Sequence, residues 1–178
     1  VPTFIGEPHP GYKVSSVTVY PESVEAQGAT EKLQTISTIE TKPVNISSKK
    51  EGMTYSIGLK ETDGVRSFTP EQVEVYVSFV ENIIESTIDS VPVAYTALNR
   101  GFKADINDKL TIKVSGRSDL LVPESVRRKL RFYVDLSNVK SAGTYSLDVQ
   151  HSEVEGYKVL SVSPHRVRIN VEQVGVNQ

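Results

Sequence analysis

Three histidines are the side chains of this 178-residue chain best suited to metal binding or proton transfer: His9, His151 and His165. A helical histidine metal site needs two of them four residues apart, and proton transfer needs a partner group close by. No pair has that spacing, and no second candidate ligand lies beside any of them in the sequence. We therefore expect three surface histidines, and we predict no metal site and no cofactor.

The acidic segment Asp105–Lys109 begins like a calcium-binding loop. Lys109 occupies the next ligand position, however, and the glycine that such a loop needs is missing. A polar turn is the better interpretation. The sequence also contains no phosphate-binding loop and no nucleophile elbow, and the absence of cysteine excludes thiolate catalysis and disulfides. We predict that the protein is not an enzyme.

The densest basic run is Arg127, Arg128, Lys129 and Arg131. These residues form the one candidate interaction surface, which could face an acidic partner or a membrane surface. The alternative is a solvated edge beside a strand through Leu130, Phe132 and Val134. There the charges would discourage pairing with another sheet. Of the two interpretations, the solvated edge is the one that we favour from the sequence.

The overall charge argues against nucleic acid as a partner. The chain has a net charge of −2, with 38% hydrophobic and 24% charged residues. Residues 1–81 hold 7 Lys and Arg against 11 Asp and Glu, a net −4, whereas residues 82–178 hold 13 against 11, a net +2. This uneven distribution could orient the protein on a partner or a surface.

Alternating apolar and polar residues predict a mainly β protein. Four segments show the pattern most clearly, and Val, Ile, Thr and Tyr are abundant. These segments are 73–79, 110–115, 145–149 and 166–172. Helical signals are short: residues 30–36, with Thr30 as the N-cap and Leu33 and Ile36 facing inward, and residues 118–121. Pro123 begins or ends the element beside it.

An offset of about 90 residues aligns the chain with itself. Val-Pro at 1–2 meets Val-Pro at 91–92, and TYSIGL at 54–59 meets TYSLDV at 144–149. With a shift of two residues, SVEAQG at 23–28 meets TIKVSG at 111–116. Runs of matches in the same order indicate two tandem homologous domains, residues 1–81 and 82–178.

A smaller repeat lies inside each domain. GYKV occurs at 11–14 and again at 156–159, and a looser version begins at Gly64. Each copy leads through a strand to Pro and a second alternating strand, which predicts two similar halves per domain. Residues 101–114 are a degenerate copy without the Pro.

The second copy has a lead-in, residues 82–90, that the first copy lacks. We therefore expect that a strand preceding the first copy is missing from this sequence. The chain starts with Val1 and contains no stretch long and apolar enough for a membrane span. It looks like a piece of a longer protein or a processed product.

The ordered set of motifs resembles the YbbR-like domain family of bacterial surface proteins. No single motif is specific, but the set covers nearly the whole chain. In the first copy the matching segments are 1–2, 11–14, 19–24 with Gly28, 33–36, 44–47 and 70–75. In the second copy they are 91–92, 101–102, 110–116, 134–137 and 164–169. The second copy departs from the pattern by losing the first internal Pro and by inserting residues 122–124.

The resemblance implies the fold: small, mainly β domains of the swapped-hairpin type, in an elongated tandem arrangement with at most short helices. Some family prolines follow cis peptide bonds, and Pro21, Pro70 and Pro164 are the candidates here.

The resemblance also implies a location and a role. The domains would lie outside the cytoplasm, anchored by an amino-terminal transmembrane helix that this sequence lacks. The best-described class of members regulates a membrane diadenylate cyclase, which makes cyclic di-AMP. The expected partners are therefore that cyclase, reached through the full-length protein, and a cell-envelope component. The alternative is a structural spacer or adhesin-like stalk on the bacterial surface. RNA binding, suggested by fold analogy, fits poorly with the acidic net charge.

Overall fold

The predicted alternation produces strands throughout the molecule, and the fold is mainly β. The structure is a computed structural model, and it describes residues 1–174 of the chain. Within it, the chain separates into two compact units. Unit 1 is Val1–Asn82 and unit 2 begins at Ile83. Each unit has its own hydrophobic core.

Unit 1 consists of seven strands and one short helix. They are β1 (Phe4–Ile5), β2 (Tyr12–Tyr20), β3 (Glu25–Gly28), α1 (Thr30–Leu33), β4 (Val44–Asn45), β5 (Met53–Gly58), β6 (Val65–Thr69) and β7 (Gln72–Glu81). The main sheet has the order β2-β7-β5 and is antiparallel. β3 pairs with β6, and β1 pairs with β4 in parallel.

Unit 2 repeats this arrangement and adds to it. Its elements are β8 (Ile83–Pro92), β9 (Ala94–Thr96), β10 (Phe102–Asp105), β11 (Lys109–Arg117), α2 (Pro123–Lys129), β12 (Phe132–Asp135), β13 (Gly143–Asp148), β14 (Gln150–His151), β15 (Tyr157–Ser163) and β16 (Arg166–Gln173). The sheets have the orders β10-β16-β13, β15-β11-β8 and β14-β12-β9. The register supports the sequence repeat, because Tyr55 lies opposite Val75 and its counterpart Tyr145 lies opposite Ile169.

Each unit is built from two halves that exchange strands. In unit 1 the halves are β2-β3 and β6-β7, and β2 pairs with β7 while β3 pairs with β6. In unit 2, β10 pairs with β16 and β11 pairs with β15 in the same way. The first strand of one half therefore always pairs with the second strand of the other. This confirms the swapped-hairpin arrangement and the predicted half-domain repeat.

The four halves begin with the same backbone conformation. Each half begins at a glycine with φ between +81° and +86°, a conformation that side chains disfavour. These glycines are Gly11, Gly64, Gly101 and Gly156. The peptide bonds before Pro21, Pro70 and Pro164 are cis, as the resemblance suggested, and each lies between the two strands of its half.

The central strands of the main sheets carry the cores. In β7, Val75 and Val77 are fully buried while the intervening residues face solvent. In β16, Val167, Ile169 and Val171 are buried in the same alternation. The described cores differ in size, with six buried apolar residues in unit 1 and fifteen in unit 2.

The helix predictions were right in number and partly wrong in place. α1 begins at Thr30, but its N-cap is Ala29, and no side chain caps it. Leu33 and Ile36 are half-buried, as expected. Residues 118–120 form a turn rather than a helix. The second helix begins at Pro123 instead, because proline fits the first turn of a helix, where no amide donor is needed.

The half-initial glycines offer a matched pair for testing. At Gly101 a Cβ atom would meet nothing within 4 Å, whereas at Gly64 it would lie 2.3 Å from Lys32 Cβ. We expect Gly101→Ala to destabilise unit 2 by about 1–2 kcal/mol, from backbone strain alone. Gly64→Ala should destabilise unit 1 by more, because α1 must also move. Denaturant unfolding followed by amide NMR signals of each unit measures both. A neutral Gly101→Ala, or equal costs, would contradict this account.

Candidate interaction surfaces

The candidate residues from the sequence lie on and just after helix α2. We call Arg127, Arg128, Lys129 and Arg131 the basic segment. The helix is fixed to the core by Val126, which is fully buried, and by Leu130 directly after it. Glu124 lies in the first turn and three of the four cations lie in the last turn, an order that complements the helix dipole. All four basic side chains point outward into solvent.

Two of these side chains have structural partners. Arg127 donates a hydrogen bond of 2.8 Å from Nη2 to the backbone oxygen of Asp89 in β8. Lys129 Nζ lies 5.7 Å from the centroid of the Tyr157 ring, within cation–π range. Among the described residues 1–174, no hydrogen bond or ion pair occupies the side chains of Arg128 and Arg131. The structure thus divides the basic segment into two anchored cations and two that are available to a partner.

The basic segment is solvated, as the alternative interpretation expected, but it does not protect a free strand edge. Arg127–Lys129 are helical, so they do not flank a strand. The strand after them, β12, is the middle strand of its sheet, with β14 on one side and β9 on the other. A central strand has no free edge to protect. Sequence alternation through Leu130, Phe132 and Val134 located the strand correctly from Phe132 onward but could not reveal the helix before it.

A second surface, which the sequence did not single out, is a groove in unit 1. It has a volume of about 260 Å³ and lies beside the start of β3. Its lining is mixed: apolar side chains such as Val19, Val24 and Val73 alternate with polar ones such as Glu22, Ser37 and Thr38. We call it the β3 groove.

The outer faces of the two main sheets differ in chemistry. In unit 1, Tyr20 and Tyr76 project from neighbouring strands and are 73% and 44% exposed. By the register of Tyr55 and Tyr145, Tyr76 corresponds to Asn170 in β16, and the acidic Glu74 beside it corresponds to the basic Arg168. The charge difference between the two halves of the sequence is therefore expressed on equivalent faces of two similar sheets.

The histidines are exposed, as predicted. Nδ1 of His9 lies 2.9 Å from the oxygen of Pro10, and the His9 ring packs edge-on against Tyr12. The His151 ring lies 6.0 Å from that of Phe132. Within residues 1–174, no group of three or more histidine, aspartate or glutamate side chains is placed to bind a metal ion.

The acidic segment after β10 has structural partners. Asn107 Nδ2 donates to Asp105 Oδ2 at 3.2 Å. Asp108 Oδ2 accepts the Arg168 amide at 2.8 Å, which ties the loop to β16. A polar loop whose carboxylates bind its own protein fits the interpretation of the segment as a turn.

Surface ion pairs account for the shifted pKa values. A hydrogen bond from Lys32 lowers the pKa of Asp63, and one from Lys60 lowers the pKa of Glu40. A hydrogen bond from Lys103 likewise lowers the pKa of Glu172 and is matched by a raised pKa of Lys103. These groups are exposed, so the pairs add little to stability. Such pKa shifts are typical of ion pairs on a protein surface.

No helix within residues 1–174 has the length and hydrophobicity needed to span a bilayer. The longer of the two helices, α2, has seven residues.

Among solved structures, the chain is similar to several YbbR-like proteins. A YbbR-like domain from Listeria monocytogenes is 25% identical, with 53% of this chain and 99% of that chain covered and a TM-score of 0.42. A YbbR family protein from Desulfitobacterium hafniense is 20% identical, covering 51% and 96%, with a TM-score of 0.37. A YbbR-like protein from Streptococcus pneumoniae is 13% identical over 97% and 93%, with a TM-score of 0.32. A search of the curated proteins found no significant match.

The assignment comes from the family comparison. Residues 1–77 match the model of the family described as YbbR-like protein. This range runs from Val1 into β7 and so contains both strand-exchanging halves of unit 1. Unit 2 repeats the same exchange of strands. Residues 1–77 of the chain therefore form a YbbR-like domain.

Proposed function

We propose that the chain is a non-enzymatic, extracytoplasmic interaction module of a membrane-anchored protein that regulates a membrane diadenylate cyclase. The observation that carries the proposal is the YbbR-like match of residues 1–77. YbbR-like domains in general serve structural and interaction roles. The resemblance further implies domains held outside the membrane and a membrane diadenylate cyclase, which makes cyclic di-AMP. The finer role rests on that implication.

In the proposed mechanism the domains bind a partner and do not catalyse a reaction. The Arg128 and Arg131 guanidinium groups are exposed, and such groups pair bidentately with carboxylates and phosphates. An acidic cell-envelope component is the ligand that suits them. Its binding would alter the cyclase only to the extent that it favours one arrangement of the anchored protein over another. The rigid attachment of α2 through Val126 would transmit such a contact to the core of unit 2.

A structural spacer or stalk is the second candidate. It is favoured by the division into two units with separate hydrophobic cores, since repetition of a self-contained domain extends a chain. A spacer needs the size of the domains but not their particular surfaces. This difference separates the two candidates by experiment.

One prediction from the proposed function concerns the cyclase. The diadenylate cyclase is co-expressed with the full-length protein, with a version lacking residues 1–178, or with a version that carries an unrelated tandem β protein of similar size instead. Cyclic di-AMP is then quantified. We expect the deletion to change the cyclic di-AMP level and the unrelated domains not to restore it. An unchanged level after deletion would refute the regulatory role, and restoration by the unrelated domains would identify a spacer.

Another prediction concerns Arg128 and Arg131, the two basic side chains without a structural partner. Arg128→Glu combined with Arg131→Glu should remove the effect on cyclic di-AMP, because both exposed positive groups become negative. The unit should remain folded and lose about 1 kcal/mol or less in free energy of unfolding, because neither side chain has a partner to lose and Arg128→Glu reverses one charge at the carboxyl end of α2. Lys140→Glu, another exposed cation of unit 2, is the control. Equal loss in the control would show a general charge effect instead of a specific surface.

A further inference from the structure

The outer face of the main sheet of unit 1 carries hydroxyl groups, two phenol rings and a single charge. We call it the tyrosine face. Its members, in rows of residues that lie opposite one another, are Tyr20, Glu74 and Ser56, then Thr18, Tyr76 and Thr54, then Ser16 and Ser78. The last two hydroxyl oxygens lie 2.7 Å apart, which confirms that these strands share this face. Glu74 alone among the eight is charged, and seven of the eight are exposed.

The carboxylate of Glu74 is available to a partner. Within residues 1–174, no hydrogen bond or ion pair occupies its side chain. Ser56, which lies opposite Glu74 in β5, donates its hydroxyl to Gln72 Oε1 at 2.9 Å instead. An exposed carboxylate with nothing to neutralise it attracts cations from outside the unit.

The equivalent face of unit 2 balances its charges internally. Asp148 pairs with Arg166 at 3.3 Å, and Glu172 pairs with Lys103 at 2.7 Å. Arg168 takes the place that the carboxylate has in unit 1. The uncompensated acid is therefore a property of the tyrosine face and not of the repeated fold.

The ring of Tyr20 lies beside this acid. Tyr20 and Glu74 are directly opposite each other on neighbouring strands, and such side chains have Cβ atoms about 4.5–5.5 Å apart. Tyr20 is 73% exposed, so its ring is open to a ligand. A tyrosine ring attracts cations through its electron-rich face, and arginine also stacks on it. One cation can therefore contact the carboxylate and the ring together.

Tyr76 adds a flat aromatic surface next to this pair. It follows Glu74 by two residues in β7 and so lies on the same face. A Cβ atom added to Gly52 would lie 2.5 Å from Tyr76 Oη, so the ring rests against β5 where there is no side chain. A tyrosine held in place gives contact area at a low cost in conformational entropy, and nearby serine hydroxyls supply adaptable hydrogen bonds.

We propose that the tyrosine face binds a basic polypeptide segment of a partner protein, with an arginine or lysine side chain held between the Glu74 carboxylate and the Tyr20 ring. Charge complementarity selects this occupant, because the one charge of the face is negative and residues 1–81 have a net charge of −4. An acidic segment would be repelled by both. The inference is independent of the proposed function, which uses the basic segment of unit 2.

The test titrates the 178-residue chain with a blocked basic pentapeptide, acetyl-GRSRG-amide, and follows the backbone amides by NMR. The acidic analogue acetyl-GESEG-amide and the neutral sugar maltopentaose are titrated separately. We expect saturable shifts of the amides of Tyr20, Glu74 and Tyr76 with the basic peptide alone. The amides of unit 2 serve as the internal reference. Added salt should weaken the binding, because the charges are exposed.

Substitutions separate the carboxylate from the ring. Glu74→Gln should weaken binding of the basic peptide about fivefold, as expected for an exposed ion pair. Tyr20→Ser should weaken it about threefold, whereas Tyr20→Phe, which keeps the ring, should stay within about twofold of the original affinity. Glu61→Gln is the matched control, because it removes the same charge from an exposed loop of unit 1. The amide spectrum of each variant verifies that both units remain folded.

Four outcomes would overturn the proposal. The first is the absence of saturable shifts on the tyrosine face with the basic peptide. The second is equal binding of the acidic peptide or of maltopentaose, which would assign the face to another class of ligand. The third is equal weakening by Glu61→Gln, which would mean a general effect of net charge. The fourth is a shift of the same amides with protein concentration alone, which would identify a second copy of the chain as the occupant.

Discussion

The exchange of strands between two halves is the constraint on which each unit depends. Neither half can pair its own two strands, because the break between them carries the second strand to the other sheet. The first strand of each half is therefore completed by the second strand of the other. One half without the other would leave unpaired backbone groups and an exposed apolar face. The two halves of a unit must fold together.

This constraint explains why a glycine turn recurs at the start of each half. Gly11 and Gly64 both take positive φ at the entry to a half, and Gly101 and Gly156 do so in unit 2. Residues 101–114 keep the glycine and the strand pairing although they lack the proline. Strand exchange thus survives the loss of one proline, which indicates that the pairing of β10 with β16 and of β11 with β15 is sufficient to hold the arrangement.

The units differ in how far this framework is completed. Unit 2 adds β8 and a two-turn helix, and both contribute residues to its core, such as Ile88 and Val126. Unit 1 has a single-turn helix with no fully buried residue, and its described core is smaller. Smaller cores contribute less to stability. The basic segment of α2 is therefore a feature of unit 2 for which the single-turn α1 of unit 1 has no equivalent.

The two candidate functions make different demands on these features. A spacer requires folded units, which the exchanged strands already supply. A contact-based regulator requires particular side chains at the surface. Arg128 and Arg131, which are exposed and have no structural partner among the described residues, meet that need. Of the four members of the basic segment, Arg127 and Lys129 interact with Asp89 and Tyr157 and so contribute to the fold as well.

The sequence by itself determined the mainly β class, the repeat within the chain, the half-domain repeat and the positions of the long strands. These features are local or periodic, since alternation requires a half-buried strand and the glycine at each half requires a turn. The ordered motifs also pointed to the family of residues 1–77.

The tertiary structure alone decided which strands pair, where α2 begins and what the basic segment touches. Strand exchange joins residues far apart in sequence, such as Glu25 and Thr69, and nothing local specifies such a pair. Arg127 and Lys129 have partners from β8 and β15 that no spacing reveals. Burial likewise depends on neighbours supplied by the whole fold, so the full burial of Val126 in α2 could not be inferred from its sequence context.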